Sequence, residues 1–297
     1  MLTRIISGIV GIGLFIALCF AGTLPFMAAV VVIASVAAAE FTRAEMLAPP
    51  VTDLPVWAAG WAKVFRFANP VFTCMGVALV PMAYAIGLRS DMQTAKMYIS
   101  LIVLAVLSGL VLVARAWSSG RMLGWFRAFY GKAGFWYVGG AFSSFVLLRA
   151  LPGRIRVGPY AAADRGAWIM LCVAVCVWST DTFAFFTGMA IGKHKLAPKL
   201  SPGKTFEGFV GGLAGAIFAG AAFGHWIGLA WANGAVIGAI AGLIGPLGDL
   251  FESGLKRELG IKDFGNLMPG HGGILDRFDS LMFVAPVAYL YLVVAQR

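Results

Sequence analysis

The sequence predicts an all-α, polytopic integral membrane protein with about nine transmembrane helices. Hydrophobic residues make up 60% of the 297 residues and charged residues 12%, whereas about 25% of a soluble globular chain is charged. The mean hydropathy of +0.87 is correspondingly high. Apolar runs of about 20 residues, the length that crosses a bilayer as a helix, recur along the chain. We therefore predict a single membrane-embedded domain over residues 1–297.

Nine apolar runs are the candidate spans. If the N-terminus lies in the cytoplasm, alternation through nine spans places most of the 23 basic residues on the cytoplasmic side, as the positive-inside rule requires. This asymmetry predicts a multi-pass protein of the cell (inner) membrane whose active site faces the cytoplasm. The predicted spans are about 5–22, 24–39, 68–88, 98–116, 133–150, 167–188, 208–232, 234–255 and 278–295.

The excess of basic residues points to the membrane rather than to a nucleic acid. The net charge is +10, but the basic residues lie in short loops between spans, where the positive-inside rule and anionic headgroups account for them. We therefore expect the lipid bilayer as a partner and no nucleic acid. The seventh and eighth spans carry glycines at four-residue spacing, which lets helices approach closely. A homodimer through these glycine-rich helices is left open.

Acidic residues divide the chain into two parts. Most of the 13 lie from Asp181 onward. Residues 1–166 are therefore predicted to be an N-terminal helical scaffold, and residues 167–297 the catalytic half. Asp181 itself lies within the sixth span, where a carboxylate is costly unless it faces a partner or a polar cavity. A simple pair with a loop lysine is the alternative.

A second polar segment, residues 192–208, follows the sixth span. Gly203-Lys204-Thr205 resembles the end of a phosphate-binding loop, but Pro198 stands where the first glycine of that motif belongs, so that interpretation fails. Backbone amides at a helix N-terminus beside cations still form an anion site. A lysine-rich loop without a ligand is the alternative. The candidate phosphate-binding residues here are Lys193, Lys195, Lys199, Ser201, Lys204 and Thr205.

The third polar segment joins the eighth and ninth spans. The end of the eighth span carries carboxylates and a lysine at helical spacing, and two aspartates stand three residues apart at the start of the ninth. A glycine-rich loop, residues 269–273, can bring the two helix ends together. Converging carboxylates bind hard divalent cations such as magnesium, and nearby basic side chains can clamp a polyphosphate. A solvated loop with internal ion pairs is the alternative. The residues concerned are Asp249, Glu252, Ser253, Lys256, Arg257, Lys262, Asp276, Arg277 and Asp279.

Residues 253–279 resemble the signature of the phosphatidate cytidylyltransferase family, also called CDP-diacylglycerol synthases. In that pattern a Ser-x-apolar-Lys-Arg run leads through Lys-Asp to His-Gly-Gly-x-x-Asp-Arg-x-Asp, and every polar position matches. Residues 192–208 also resemble the family's Gly-Lys-His-Lys-Leu-Ala-Pro-Lys and Ser-Pro-Gly-Lys-Thr segments. The sixth span departs from the pattern, with Phe183 where glycine is usual and Phe185 where tyrosine is usual. Met268 is a milder departure.

The resemblance implies a nucleotidyl transfer between CTP and phosphatidate. A phosphate oxygen of phosphatidate would attack the α-phosphorus of CTP, releasing pyrophosphate and forming CDP-diacylglycerol for phospholipid biosynthesis. Magnesium is the implied cofactor, and a second cation, including a monovalent one, is left open. Asp249 and Asp276 are the expected principal ligands. The supporting ligands would be Asp181, Asp279 and Glu252, and the other catalytic groups Lys256, Arg257 and His271, the last as an orienting or phosphate-bonding group rather than a base.

Two other functions stay open on the sequence. A CTP-dependent lipid kinase would use similar clusters but transfer the γ-phosphate, so labelled CTP separates the two reactions. An ion- or proton-coupled transporter would use Asp181 and Asp249 within the spans, although no inverted repeat of broken helices is evident. A CDP-alcohol phosphotransferase is excluded, because its Asp-Gly-x-x-Ala-Arg motif does not occur in the sequence.

Overall fold

Helices and two short β-hairpins make up the part of the chain that the computed structural model describes, residues 2–47, 75–89, 135–158, 160–198, 200–268 and 272–295. In chain order the elements are α1 (Leu2–Phe20), α2 (Thr23–Leu47), α3 (Leu79–Arg89), a π-helix (Phe135–Gly140), α4 (Ala141–Arg149), β1 (Arg154–Val157), β2 (Tyr160–Asp164), α5 (Arg165–Ile191), β3 (Lys195–Ala197), β4 (Ser201–Thr205), α6 (Phe206–Trp226), α7 (Trp231–Glu258) and α8 (Leu275–Ala295).

Five of the described helices are long and apolar enough to cross a bilayer, which confirms the predicted class of a helical multi-pass membrane protein. Two further apolar helices, Ile6–Phe20 and Met75–Ala85, are shorter. The count of nine spans stays a prediction, because the span at 98–116 and parts of those at 68–88 and 133–150 lie outside the described residues. The five long spans are Thr23–Ala44, Arg165–Ile191, Phe206–Trp226, Trp231–Arg257 and Leu275–Ala295.

Helix α2 is longer than the sequence predicted. The predicted span ended at residue 39, because a charged residue, Glu40, follows. In the structure α2 continues to Leu47, and the Glu40 carboxylate accepts hydrogen bonds from backbone N–H groups at the start of α8. A charged group with such partners can stay within a packed helix. The neighbouring Ala38 and Phe41 are buried in the core.

Helices α5, α6 and α7 pack side by side in alternating directions. Glycine allows the close approach of α6 and α7, since a Cβ added at Gly220 would collide with the carbonyl oxygen of Gly234, and one at Gly238 with that of Ala216. The predicted four-residue glycine spacing therefore serves packing within the chain. A homodimer stays a prediction, and these particular glycine faces are covered by helices of the same chain.

The two β-hairpins mark opposite ends of the helix bundle. Strands β1 and β2 pair antiparallel, with Arg154 opposite Asp164, immediately before α5. Strands β3 and β4 pair antiparallel immediately after α5, with Lys195 opposite Thr205. The 27 residues of α5 separate the hairpins by about 40 Å, at 1.5 Å per residue. The β3–β4 end, where the second and third polar segments lie, is called the site end below.

The opposite end is fixed by Arg149, the last residue of α4. Its side chain is 2% exposed and pairs with Asp164 at 2.9 Å, while its Nε atom donates to the carbonyl oxygen of Cys19 at 2.6 Å. Asp164 also accepts a hydrogen bond from the N–H of Ala167 at 3.2 Å and so caps α5. One buried guanidinium thus links the ends of α1, α4 and α5.

Candidate active site

Lys256 lies at the site end between carboxylates from two helices. Its Nζ atom is 3.0 Å from Oε1 of Glu252, one turn earlier on α7, and 2.8 Å from Oδ1 of Asp276, in the first turn of α8. Both carboxylates are buried, and buried charges need paired, hydrogen-bonded partners. The predicted approach of acidic side chains from these two helices is confirmed, and the cation between them is an ammonium group. Lys256, Glu252 and Asp276 are called the lysine triad below.

Asp276 uses its second oxygen to fold the segment between α7 and α8. Oδ2 accepts hydrogen bonds from the backbone N–H groups of Phe264, at 2.9 Å, and Gly273, at 2.8 Å. Both donors lie in the connecting segment, residues 259–274. A carboxylate in the first turn of a helix also interacts favourably with the helix dipole. Both oxygens of Asp276 therefore have partners within the protein.

Tyr137, for which the sequence predicts no role, completes the surroundings of Glu252. Its hydroxyl donates to Oε2 of Glu252 at 3.0 Å, and its ring packs against Phe251 and Phe283, with centroids 5.5 and 6.2 Å away. Tyr137 belongs to the π-helix, a conformation often found at functional sites. Its context, Phe135-Trp-Tyr in an apolar run, carries no signal that this hydroxyl meets a carboxylate.

Glu40 is a second contribution from the part of the chain predicted to be scaffold. Its Oε1 atom accepts from the N–H of Ile274 at 3.1 Å, and its Oε2 atom from the N–H of Leu275 at 3.0 Å. The carboxylate therefore caps the N-terminus of α8 from another helix. The available signal was a carboxylate directly after an apolar run, which we interpreted as the end of a span.

Asp249, predicted as a principal metal ligand, joins α7 to the β3–β4 hairpin. Its Oδ2 atom is 2.6 Å from the Nζ atom of Lys204 on β4. Its Oδ1 atom accepts a hydrogen bond of 3.2 Å from the hydroxyl of Ser253, one turn later. The predicted helical stripe is confirmed by this pair and by the Glu252–Lys256 pair. Lys204, predicted to bind phosphate, is thus placed beside a carboxylate.

Asp181 and Asp279 lie close enough to Asp249 to interact with it electrostatically. Asp181 also interacts with Lys204 and Arg277. Three carboxylates from α5, α7 and α8 thus share one region with two basic side chains, and we call these five residues the Asp249 cluster. Asp181 is exposed and the other two carboxylates are half-buried, so the cluster, unlike the lysine triad, reaches the protein surface. It brings carboxylate oxygens from three helices into one region.

The β3–β4 hairpin is tied to the start of α6 by two side chains. The Glu207 carboxylate accepts from the backbone N–H groups of Lys193 and His194, at 3.1 and 3.2 Å, and lies 2.6 Å from Nδ1 of His194. Thr205 accepts from the N–H of Gly208 at 3.1 Å and caps α6. The predicted start of a helix in this segment is confirmed, and the Thr205 hydroxyl serves as its cap.

The remaining predicted phosphate-binding residues divide by exposure. Ser201 is half-buried on β4, whereas the basic side chains lie at the surface of the site end. Lys199 and His271 lie outside the described residues. The exposed basic residues are Lys193, Lys195, Arg257, Lys262 and Arg277.

Comparison with known proteins gives the chain its family. Residues 2–295 match the family model described as the cytidylyltransferase family. The chain belongs to the cytidylyltransferase family. The phosphatidate cytidylyltransferase of Bacillus subtilis (strain 168) is 34% identical over 295 residues, which cover 98% of this chain and 97% of that protein.

Shorter alignments of higher identity connect the chain to staphylococcal relatives. The phosphatidate cytidylyltransferase of Staphylococcus aureus (strain COL) is 45% identical over 136 residues, 45% of this chain and 52% of that protein. The Staphylococcus saprophyticus protein of the same name is 45% identical over 142 residues, with the same shares covered. The chain thus spans about half the length of the staphylococcal relatives that it matches, and almost the whole length of the B. subtilis one.

The bulk of Phe183, where the cytidylyltransferase signature usually has glycine, is accommodated by the neighbouring helix. A Cβ added at Gly215 of α6 would collide with the Phe183 ring, so the ring lies directly on the Gly215 backbone. Phe183 is 45% exposed and Phe185 is 65% exposed. Phe183 therefore forms part of the α5–α6 contact, two residues from Asp181.

The carboxylates of this chain suit magnesium by chemistry, because they supply oxygen ligands. In the described part of the chain, however, no group of three His, Cys, Asp or Glu side chains is placed to hold a metal ion. Lys256 occupies the space between Glu252 and Asp276. Asp249, the other predicted principal ligand, is likewise paired, with Lys204.

Proposed function

We propose that this chain is an integral membrane enzyme that transfers CMP from CTP to phosphatidate, forming CDP-diacylglycerol and pyrophosphate. The observation that carries the proposal is the similarity to the B. subtilis phosphatidate cytidylyltransferase, which extends over 98% of the chain. The site supports it, because it combines carboxylates, lysines and arginines at one end of an apolar helix bundle. A lipid substrate and a water-soluble nucleotide can meet at such a place.

The reaction forms one phosphorus–oxygen bond and breaks another. An oxygen of the phosphatidate phosphate attacks the α-phosphorus of CTP, and the bond from that phosphorus to the bridging oxygen of the β-phosphate breaks. The attacking phosphate is already ionised near neutral pH, so no strong general base is required. The work left to the protein is to position two anionic reactants and to offset their repulsion, which positioned cations do effectively in phosphoryl transfer.

Exposed basic residues are the proposed contacts for the CTP phosphates. Lys193 and Lys195 would act from the β3–β4 hairpin, and Arg257, Lys262 and Arg277 from the segment around the lysine triad; all five are exposed at the site end. Lys199 and His271 are proposed as further phosphate contacts from the family signature. Guanidinium groups can bind phosphate oxygens in pairs, which fixes orientation as well as charge.

The lysine triad has a different proposed role. Lys256 is held by two buried carboxylates, so its ammonium group is fixed in place and joins α7 to α8. We propose that it offsets part of the negative charge of Glu252 and Asp276 at the helix ends and keeps Asp249 on α7 in register with Asp279 on α8. Lys256 stays one of the predicted catalytic residues, together with Asp249, Asp276, Arg257 and His271.

Magnesium is the proposed cofactor. Asp249, Asp279 and Asp181 would hold it from the Asp249 cluster, and Asp276 and Glu252 stay predicted ligands although both are paired with Lys256 in this structure. When bound, magnesium would neutralise charge on the CTP phosphates. A requirement for a second cation is left open.

The proposed orientation places the site end in the cytoplasm, where CTP is available. Nine spans with a cytoplasmic N-terminus give this arrangement, and the positive-inside distribution of Lys and Arg supports it. Helices α5 to α8 alternate in direction in agreement with that topology.

The experiment is CMP transfer by purified protein in detergent micelles with phosphatidate and magnesium. Two preparations of CTP are compared, one labelled in the cytosine ring and one on the γ-phosphate. We expect the cytosine label in the lipid product and the γ-label in pyrophosphate. Label from the γ-phosphate in the lipid would identify a lipid kinase instead, and a folded protein that incorporates neither label would rule the proposal out.

A further inference from the structure

We propose that Glu40, on the second helix of the chain, is a positioning residue for the reaction: it holds the turn that carries Asp276 and thereby fixes the lysine triad. The inference rests on the proposed function for its kinetic consequence. It assigns a role to a residue outside the signature segments and in the part of the sequence predicted to be scaffold.

The first observation is a two-point hydrogen bond to the start of α8. Each Glu40 oxygen accepts from a different backbone N–H group, Ile274 at 3.1 Å and Leu275 at 3.0 Å. The first N–H groups of a helix have no partner within the helix. A Ser, Thr, Asp or Asn just before the helix usually supplies one, but Ile274 precedes α8 and has no side-chain acceptor. Glu40 takes that place and also complements the helix dipole.

The second observation is that the connecting segment is shaped around this carboxylate. A Cβ added at Gly265 would collide with Oε1 of Glu40, and one added at Gly273 would lie 2.5 Å from Oε2. Both positions therefore have to be glycine for the carboxylate to reach the backbone. The neighbouring Phe41 packs on Phe264, with ring centroids 6.0 Å apart.

The third observation connects Glu40 to the lysine triad. Gly273, which touches Glu40, donates its N–H to Oδ2 of Asp276 at 2.8 Å, and Oδ1 of Asp276 is 2.8 Å from Nζ of Lys256. Glu40 and Asp276 thus bind backbone N–H groups of the same turn, at residues 273–275. Loss of Glu40 frees the turn, and with it the orientation of the Asp276 carboxylate toward Lys256.

The test compares Glu40→Gln with a matched control, Arg43→Gln, on the same helix and exposed. Glutamine has the size of glutamate but carries no charge, and its NH2 group would face a backbone N–H instead of accepting a hydrogen bond from it. In Glu40→Gln we expect kcat for CMP transfer to fall about tenfold or more, because a charge-assisted hydrogen bond is lost. The KM for CTP should change less than about threefold. Amide hydrogen exchange should accelerate in a peptide covering 264–276 and stay at the wild-type rate in α6. Arg43→Gln should match the wild type in both measurements.

Three results would overturn the proposal. One is a wild-type kcat in folded Glu40→Gln protein. Another is unchanged hydrogen exchange in residues 264–276. An equal acceleration in α6 and in residues 264–276 would also overturn it, because that result indicates general destabilisation. Hydrogen exchange does not depend on turnover, so it decides whether Glu40 holds the turn even in a protein without activity. A wild-type protein that transfers no CMP to phosphatidate would count against the proposed function alone.

Discussion

A lysine inside an apolar helix bundle needs close partners, and Lys256 has them. Its ammonium group lies within 3.0 Å of the Glu252 and Asp276 carboxylates, and Tyr137 donates to the far oxygen of Glu252. Removing one member of a buried ionic group leaves the others without compensation, which costs far more than the net gain from forming it. The triad should therefore be sensitive to single substitutions.

Lys256→Met tests this sensitivity. The variant leaves Glu252 and Asp276 buried without their cation, so we expect a loss of about 3–5 kcal/mol of unfolding free energy, measured by denaturation in detergent. Arg257→Met, the adjacent but exposed position, is the stability control and should change unfolding by less than about 0.5 kcal/mol. Equal stability of Lys256→Met and the wild type would show that the ammonium does not stabilise the bundle.

Asp276→Asn tests the candidate site at the level of a single residue. The asparagine keeps the size of the side chain but removes the charge that faces Lys256, and its NH2 group must point at either the ammonium or a backbone N–H. We expect CMP transfer to phosphatidate to be abolished while the protein still inserts into the membrane. Activity and membrane-fraction yield are measured on the same preparation. Near-normal turnover would remove Asp276 from the set of essential residues.

Contacts between residues close in the sequence were predictable, whereas contacts between distant helices were not. The i, i+4 spacing of Asp249–Ser253 and Glu252–Lys256 placed each pair on one helical face, and both contacts occur. Glu40 reaches backbone groups 234 residues away. Its position directly after an apolar run suggested a helix end, whereas Glu40 lies within α2, and nothing local specifies which tertiary partner it meets.

At the scale of elements, glycine spacing predicted close helix packing correctly, because small residues at four-residue intervals form one flat face. The hairpin strands were missed. Strands β3 and β4 contain three and five residues and lack the apolar alternation by which a strand is identified. Ser201-Pro-Gly203, whose composition is typical of a turn, lies within β4.

The α5–α6 contact gives a prediction for a pair of residues. Gly215→Ala places a methyl group against the Phe183 ring, and overpacking of this kind costs about 1–3 kcal/mol. In a Phe183→Ala background the same substitution should cost less by about 1 kcal/mol or more, which a double-mutant cycle of unfolding free energies measures. Equal costs in the two backgrounds would mean that the ring does not determine this contact.

At the scale of the whole molecule, the hairpins lie at opposite ends of α5 and should face opposite sides of the membrane. Gly203→Cys places a thiol where a new Cβ meets no atom within 4 Å, and Arg154→Cys places one at an exposed position of β1. With a membrane-impermeant maleimide on intact cells, we expect labelling at position 154 and none at 203, and labelling of both in opened membranes. The reverse pattern would invert the proposed orientation.

Class and general organisation followed from composition, because an apolar chain with clustered charge has few ways to satisfy its backbone other than as membrane helices. The division into scaffold and catalytic halves was less informative about the site. Glu40 and Tyr137, both before residue 166, contact the same charged region as the signature residues. Acidic content alone could not predict this, since two polar side chains among many apolar ones barely alter local composition.

The bond between Glu40 and the start of α8 also bears on the order of synthesis. The ribosome delivers α2 well before the amides that its carboxylate binds, the first of which lies 234 residues further along the chain. Until α8 enters the bilayer, Glu40 has to remain at the lipid–water boundary or accept a hydrogen bond from another donor. A chain halted before residue 274 would thus contain most of its helices and still lack an assembled reaction centre.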